Sequence, residues 1–173
     1  MQLSNLQTQN MSMLHELKTK QQIKCDIGTV WDFISSPSNL TMITPKFMRF
    51  KIIGDSKDLK KMHAGQIIEY FVSPVAGIRM HWVTEITHLS ENEYFVDEQK
   101  IGPYTLWHHK HFLKEVDGGV EMTDIVHYKA PFGVLGDLLN SLFIRNRLKK
   151  IFDYRFKKIA EIFTIPDRRV VIP

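Results

Sequence analysis

The sequence predicts an α+β domain in which a curved, seven-stranded antiparallel sheet wraps around a long C-terminal helix. Three observations predict it: an alternating segment opens the chain, six strand-like segments fill residues 47–130, and residues 134–163 have helical periodicity. No repeat or linker divides the 173 residues, which suffice for one core. We therefore expect one domain over 1–173, with residues 1–12 and 167–173 loosely ordered.

The first strand and two short helices are expected before residue 46. Residues 14–25 alternate with period two, and one side is largely uncharged: Leu17, Thr19, Gln21, Ile23 and Cys25. Asp26 is a plausible N-cap for a helix with apolar residues at helical spacing. Ser36 and Pro37 then begin a second short helix that ends at Pro45. Two short helices thus separate strands 1 and 2.

Six further strands and the long helix complete the predicted order. The strands are expected near 47–54, 65–73, 78–89, 93–101, 104–115 and 120–130. The turn signals "SPVAG", "SENE" and "DGG" join neighbouring strands closely, which indicates an antiparallel meander. "PFG" (131–133) ends the last strand, and a single helix over 134–163 follows.

Strand alternation assigns each strand an inward face, because the less charged alternate set should face the core. It divides the histidines of "GPYTLWHHKHF": His109 and His111 share a face with Trp107, while His108 points outward with Lys110. The residues predicted to face inward are Ile68, Tyr70, Val72, Ile78, Met80, Trp82, Thr84, Ile86, Phe95, Asp97, Gln99, Ile101, Thr105, Trp107, His109, His111, Leu113, Met122, Asp124, Val126, Tyr128 and Ala130.

The long helix presents an apolar arc that matches the inward faces of the strands. At about 100° per residue the arc contains Leu148, Ile151, Phe152, Phe156, Ile159, Ile162 and Phe163. Arg155 falls inside this arc, whereas Arg147, Lys150, Lys157 and Lys158 fall outside it. These spread charges favour a solvated face, with weak contact to an anionic membrane surface as the alternative.

Composition excludes several classes of protein. A net charge of +4 is too small for the charge density of a nucleic-acid binder. Cys25 is the single cysteine, so no disulfide forms within the chain. No apolar stretch is long enough for stable membrane insertion, and the N-terminus lacks the pattern of a secretory signal, so we expect a cytoplasmic protein. No cofactor fingerprint, nucleophile elbow or phosphate-binding glycine loop is present, and no cofactor is expected.

The element order resembles the helix-grip fold of the START-like, or SRPBCC, superfamily, which includes Bet v 1-like proteins, polyketide cyclases and coenzyme Q-binding proteins. The run "FVDEQKIGPYTLWHHKHF…GGVEMTDIVHYKAPFGVLG…IFDYR" (95–155) is similar to its ligand-binding branch. The architecture covers nearly the whole chain. The resemblance implies a cavity for a hydrophobic ligand between sheet and helix, but it implies no single reaction, because members range from lipid carriers to cyclases.

The predicted interior is mostly apolar but contains six polar residues: Asp97, Gln99, His109, His111, Asp124 and Arg155. Buried charges are costly unless paired, so we expect a polar network at one end of an apolar cavity. The predicted function is binding of a small hydrophobic or amphipathic molecule, lipid-, quinone- or polyketide-like, in this cavity. Its expected ligand-binding residues are these six together with four aromatic residues: Tyr70, Trp82, Trp107 and Tyr128.

Two other functions compete with this prediction. One is an enzyme of the polyketide cyclase or dehydratase type, for which His109 and Asp124 are the candidate acid–base residues. The other is an interaction protein whose cavity is filled by its own side chains. His109 and His111 could also belong to a purely structural hydrogen-bond network. No metal site is expected, since zinc requires three or four ligands and the sequence does not show that the two aspartates converge on the histidines.

Overall fold

The structure, a computed structural model, describes residues 13–54, 61–74 and 77–164; the two ends expected to be loosely ordered, 1–12 and 167–173, lie outside these ranges. The strands are β1 (His15–Ile23), β2 (Lys51–Ile53), β3 (Ile67–Val72), β4 (Met80–Ser90), β5 (Tyr94–Ile101), β6 (Leu106–Val116) and β7 (Gly119–Lys129). The helices are α1 (Ile27–Ile34), α2 (Gly133–Leu139) and α3 (Arg145–Thr164), with 3-10 helices at Pro37–Thr41 and Lys46–Met48. The predicted order of elements is confirmed.

All seven strands form one antiparallel sheet in the order β1-β7-β6-β5-β4-β3-β2. Strands β2 to β7 form an antiparallel meander, in which each strand pairs with the next one along the chain. Strand β1 pairs with β7 at the far edge, in the register Thr19 opposite Asp124. The first and last strands of the chain are therefore neighbours, and the inward residues of β5, β6 and β7 lie side by side.

Helix α1 begins where the sequence predicts it. The carboxylate of Asp26 accepts a hydrogen bond from the backbone N–H of Thr29 at 2.8 Å, which caps the first turn. The second predicted helix is a short 3-10 helix with Pro37 at its first position. Ser36 makes no capping bond there, since its hydroxyl lies 2.9 Å from the hydroxyl of Ser38.

The dry part of the core lies where α1 and the C-terminal half of α3 meet the sheet. Trp31 and Ile159 are each only 1% exposed. The ring of Trp31 packs edge-on against Phe95, with 6.2 Å between centroids, and Phe33 packs in the same way against Phe163 at 5.5 Å. Burying each such side chain stabilises the fold by roughly 1.5–3 kcal/mol, so this region anchors both helices to the sheet.

The long C-terminal helix contains a wider turn that the sequence did not reveal. Helical structure runs without a break from 133 to 164, but Asn140–Ile144 form a π-helical turn between α2 and α3. Five apolar residues before and within this turn face solvent, namely Phe132, Leu135, Leu138, Leu142 and Phe143. Helix α3 carries the apolar arc that packs on the sheet.

Four residues predicted to face inward are exposed, and these predictions were wrong. Ile78 precedes the first residue of β4, and Thr105 precedes β6. Ile101 is the last residue of β5 and extends past the segment that pairs with β6. Alternation sets the direction of a side chain only inside a paired strand, so it fails at strand ends. Phe156 lies at the edge of the apolar arc of α3 and is 48% exposed.

Among the described residues, no helix combines the length and the apolar character required to cross a membrane.

Candidate functional site

A cavity of about 140 Å³ lies between the concave face of the sheet and α3. Its lining is mostly aliphatic and aromatic, with side chains from β3 to β7, from α3 and from the segments around the 3-10 helices. It adjoins the dry core, where Ile34, Ile68 and Phe95 contribute to both. The cavity therefore occupies the end of the interior that the helix leaves incompletely filled.

An aromatic wall on β3, β4 and β6 forms one side of the cavity. Trp82 stacks on Tyr70 with 6.0 Å between ring centroids and meets Trp107 edge-on at 5.4 Å. Thr84 fixes two of these rings: its hydroxyl accepts a hydrogen bond from Trp82 Nε1 at 3.0 Å and lies 2.9 Å from the Tyr70 hydroxyl. Burial raises the pKa of Tyr70, so this tyrosine keeps its proton.

The polar wall is created by strand register. Asp97 on β5 lies directly opposite His109 on β6, and Asp124 on β7 lies directly opposite His111. Because all four positions have the inward parity of their strands, the two histidines and the two aspartates meet on one face of the sheet. All four side chains are at least 85% buried.

Each histidine of this wall lies between the two carboxylates. His111 Nε2 is 2.9 Å from Asp97 Oδ2, and His109 Nε2 is 2.9 Å from Asp124 Oδ1. His109 Nδ1 is 3.5 Å from Asp97 Oδ2. His111 Nδ1 is 2.8 Å from Asp124 Oδ1, but the geometry is not that of a hydrogen bond, so this contact is electrostatic. The two imidazole rings lie only 3.7 Å apart between centroids.

Burial and mutual charge pull the pKa values of the two histidines apart. Burial and the neighbouring His111 lower the pKa of His109 to about 4, so His109 is neutral near pH 7. Burial also opposes charge on His111, but the carboxylates of Asp124 and Asp97 outweigh it and raise the pKa of this histidine. Two imidazolium rings this close would repel each other strongly, so the pair carries at most one positive charge.

Both carboxylates stay ionised despite their burial. Burial favours the protonated acid, but the hydrogen bond from His109 and the nearby imidazole of His111 lower the pKa of Asp124 below its usual range. The pKa of Asp97 is lowered in the same way against the effect of burial, chiefly by the two histidines. With Arg155 the charges sum to zero when His111 carries its proton. The positive and negative charges of the network thus cancel.

Arg155 reaches the cavity from α3, as the helical arc predicted. Its Nη1 lies 4.0 Å from Asp124 Oδ1, and its guanidinium carbon lies 5.1 Å from the ring centroid of Phe152. Its Nε is buried and has no hydrogen-bond partner among the described residues. The guanidinium is therefore only partly paired and retains donors for another group at the cavity.

The structure brings seven of the ten predicted ligand-binding residues to the cavity lining: Tyr70, Trp82, Asp97, Trp107, His109, His111 and Arg155. Asp124 lies behind the two histidines and does not line the cavity, and neither does the buried Tyr128. Gln99 is also absent from the lining, because its side chain bonds the backbone of the next turn.

Gln99 instead positions Tyr104, a lining residue that the strand pattern did not identify. Its amide nitrogen donates to the Tyr104 carbonyl at 2.7 Å, and its amide oxygen accepts from the Tyr104 N–H at 3.2 Å. A Cβ at Gly102 would overlap this side chain, so the clamp requires glycine at that position. The ring of Tyr104 packs 5.0 Å from Trp107. The glycine and proline of "QKIGPY" indicated a turn before Tyr104. Strand alternation does not extend into turns, so it could not assign the direction of this side chain.

No protein-family model matches this sequence, and no curated protein matches it. Solved structures match over most of the chain. A protein from Chromobacterium violaceum, CV1439, superposes with a TM-score of 0.65 at 12% identity and covers 88% of this chain and 99% of its own. TTHA0849 from Thermus thermophilus gives a TM-score of 0.64 at 12% identity, covering 87% of this chain and 97% of its own.

Ara h 8.0201, a homologue of Bet v 1, superposes with a TM-score of 0.60 at 14% identity and covers 88% of this chain and 99% of its own. At these identities the likeness concerns the fold alone. The seven-stranded sheet, the two short helices after β1 and the long C-terminal helix agree with it. The protein therefore has the helix-grip fold of Bet v 1-like proteins.

Proposed function

We propose that the protein binds a small hydrophobic or amphipathic molecule in the cavity between the sheet and α3. The observation that carries this proposal is the lining, an apolar and aromatic surface with a few polar groups converging on one side. Such a composition is typical of small-molecule sites. The existence of a cavity favours this function over an interaction protein whose interior is filled by its own side chains.

The cavity suits a ring-sized part of a ligand. An apolar cavity of about 150 Å³ accommodates benzene, and the cavity here measures about 140 Å³. The aromatic wall of Tyr70, Trp82 and Trp107 offers faces and edges for such a ring. Among lipid-, quinone- and polyketide-like molecules, we therefore favour those with a cyclic head.

Arg155 defines the polar end of the proposed ligand. Its partly paired guanidinium lines the cavity and is held by α3 beside Phe152. A carboxylate or phenolate on the ligand would pair with this guanidinium. Replacing Arg155 by glutamine should weaken binding of an anionic ring compound about 10- to 100-fold, as expected for loss of a charged hydrogen bond.

Tryptophan fluorescence can test the binding site, because Trp82 and Trp107 line the cavity. Titration with a panel of hydroxylated naphthoquinones should quench this fluorescence. Ile151→Trp, which places a larger ring in the cavity, should abolish binding, while Lys150→Trp on the exposed side of the same helix should preserve it. Equal binding by both variants would contradict the proposal, as would the absence of any co-purified apolar molecule in native mass spectra of protein from its own host.

An enzyme of the cyclase or dehydratase type is the second candidate. The observation that favours it is the opposite displacement of the two histidine pKa values, which makes His111 a potential acid and His109 a potential base beside the cavity. Turnover of cyclisable substrates that is lost in folded His109→Ala and Asp124→Ala variants would support it. Variants that do not fold would instead indicate that the network is structural.

A further inference from the structure

We propose that Asp97, His109 and His111 form a binding site for a divalent transition-metal ion such as Zn²⁺ or Fe²⁺. This inference goes beyond the binding of an apolar molecule and does not depend on it, because the three side chains are positioned by strand register alone. The sequence led us to expect no metal site. That expectation depended on not knowing whether an aspartate converges on the histidines, and the structure shows that Asp97 does.

The three side chains have the spacing of a ligand set. One donor atom from each lies within 4.8 Å of the other two. Asp97 Oδ2 is 3.5 Å from His109 Nδ1 and 2.9 Å from His111 Nε2. Around a tetrahedral zinc ion with bonds of about 2.0–2.2 Å, neighbouring donor atoms are roughly 3.3 Å apart. The two separations from Asp97 bracket this value, and the donor atoms of the two histidines lie within 4.8 Å of each other, so small side-chain shifts would close the site.

The hydrogen bonds of the network leave histidine nitrogen atoms available to bind a metal ion. A neutral imidazole has one N–H and one lone pair. If His109 donates through Nε2 to Asp124 Oδ1, its Nδ1 presents a lone pair to Asp97 Oδ2. Two electron-rich atoms that face each other across 3.5 Å repel each other, and a cation between them would relieve this repulsion. A metal ion would supply this cation and would replace the proton between His111 Nε2 and Asp97.

Asp124 completes the arrangement from behind. Its Oδ1 contacts the nitrogen of each histidine that faces away from Asp97, at 2.9 Å for His109 and 2.8 Å for His111. Histidine ligands commonly give their second ring nitrogen to a carboxylate, which fixes the tautomer and the orientation of the ring. Asp124 is therefore a positioning residue, and Arg155, 4.0 Å away, balances its charge.

Two histidines and one carboxylate on one side leave coordination positions open. Asp97, His109 and His111 all line the cavity, whereas Asp124 does not, so the open positions face the cavity. This donor set is typical of mononuclear Fe(II) and Zn(II) sites, and imidazole ligands disfavour Mg²⁺ and Ca²⁺. With neutral histidines, the two aspartates and Arg155 sum to one negative charge, which a divalent cation reverses.

Cobalt titration of the full chain, freed of metal by a chelator, can test the site. Co²⁺ should bind with one ion per chain and produce visible absorption of a four- or five-coordinate ion with nitrogen and oxygen ligands. Zn²⁺ should displace it, and millimolar Mg²⁺ should not. No binding to the folded protein at about 1 mM Co²⁺ would overturn the proposal.

Matched variants on the two faces of the same strands locate the ion. Asp97→Asn and His111→Gln should each lower the Co²⁺ affinity at least tenfold, and Asp124→Asn should lower it about 10- to 100-fold. His108→Gln and Glu98→Gln alter a second histidine–carboxylate pair that faces outward, and they should leave the affinity within twofold of the wild type. Equal affinities in the wild type and a folded Asp97→Asn variant would overturn the proposal.

If the inner variants do not fold, NMR spectra of the wild-type protein can locate the metal ion. Zn²⁺ should shift the ¹⁵N resonances of His109 Nδ1 and His111 Nε2 and leave those of His108 in place. Shifts confined to His108 would mean binding at the outer face and would overturn the proposal. Because the titration uses the metal alone, its failure leaves the fluorescence test of the apolar cavity unaffected.

Discussion

Two histidine–carboxylate pairs lie on opposite faces of β5 and β6. On the outer face His108 Nδ1 lies 2.9 Å from Glu98, and on the inner face His111 Nε2 lies 2.9 Å from Asp97. The outer side chains are 33% and 35% exposed, whereas the inner ones are 8% and 15% exposed. Both are histidine–carboxylate pairs at the same distance, with Glu98 outside and Asp97 inside, so their main difference is exposure to water.

Because water solvates the outer pair, it does not require a larger network of partners. The hydrogen bond from His108 lowers the pKa of Glu98, with Lys100 as a second neighbour 3.3 Å away. The inner pair does require such a network, because a buried charge is stable only when several polar or charged partners surround it. Each inner carboxylate therefore contacts both histidines, and Arg155 contributes a further charge.

The largest expected difference between the two faces is in stability. Asp124→Ala removes the common partner of His109 and His111 and leaves buried polar groups unpaired, so the free energy of unfolding should fall by about 3–5 kcal/mol. Glu98→Ala should lower it by less than about 1 kcal/mol, since exposed pairs contribute little. Urea unfolding of the metal-free proteins measures both. Similar losses for the two variants would show that burial does not make the inner network more important for stability than the outer pair.

A smaller difference should appear with pH. The raised pKa of His111 means that its imidazolium stabilises the folded state below about pH 6.5, and this contribution is lost as the pH rises through the folded-state pKa. The free energy of unfolding of the metal-free wild-type protein should therefore fall relative to that of His111→Gln as the pH rises above about 6.5, by about 1.4 kcal/mol for each pH unit by which the folded-state pKa exceeds the unfolded-state value.

The same measurement has an internal control. Asp97→Asn removes one of the two carboxylates that raise the pKa of His111, so the pH dependence should become shallower in this variant. A difference between wild type and His111→Gln that does not change with pH would show that His111 does not carry the proton of the network.

The smallest expected difference concerns salt. In about 1 M NaCl, where charges are screened beyond about 3 Å, the effect of Glu98→Ala on unfolding should become unmeasurable. The effect of Asp97→Ala should remain within about 0.5 kcal/mol of its low-salt value, because ions do not enter the dry interior. Urea unfolding in both salt concentrations provides the test, and equal sensitivity of the two variants would contradict it.

Local pattern was enough to predict the order of elements and the faces of the strands. Period two in β6 correctly separated His108 from His109 and His111, and the helical arc correctly placed Arg155 toward the interior. These inferences depend only on backbone geometry within one element, which the sequence of that element determines.

Pairing between distant segments could not be predicted in this way. The register that sets Asp97 opposite His109 and Asp124 opposite His111 depends on the turns that join β5 to β6 and β6 to β7. A shift of one residue would have sent either aspartate to solvent. The sequence therefore predicted which polar residues lie inside, but not that each carboxylate contacts both histidines.

The π-helical turn at 140–144 gives the C-terminal helix a rotational offset. Each residue of this wider turn advances by less than the ~100° of an α-helix, so the faces of α2 and α3 lose their common phase. Leu135 and Leu138 consequently leave the side of the helix that Leu148 and Phe152 occupy against the sheet. The continuous helix thus has two apolar surfaces that face different directions. The surface of α3 covers the cavity, and the surface of α2 exposes leucine side chains to solvent.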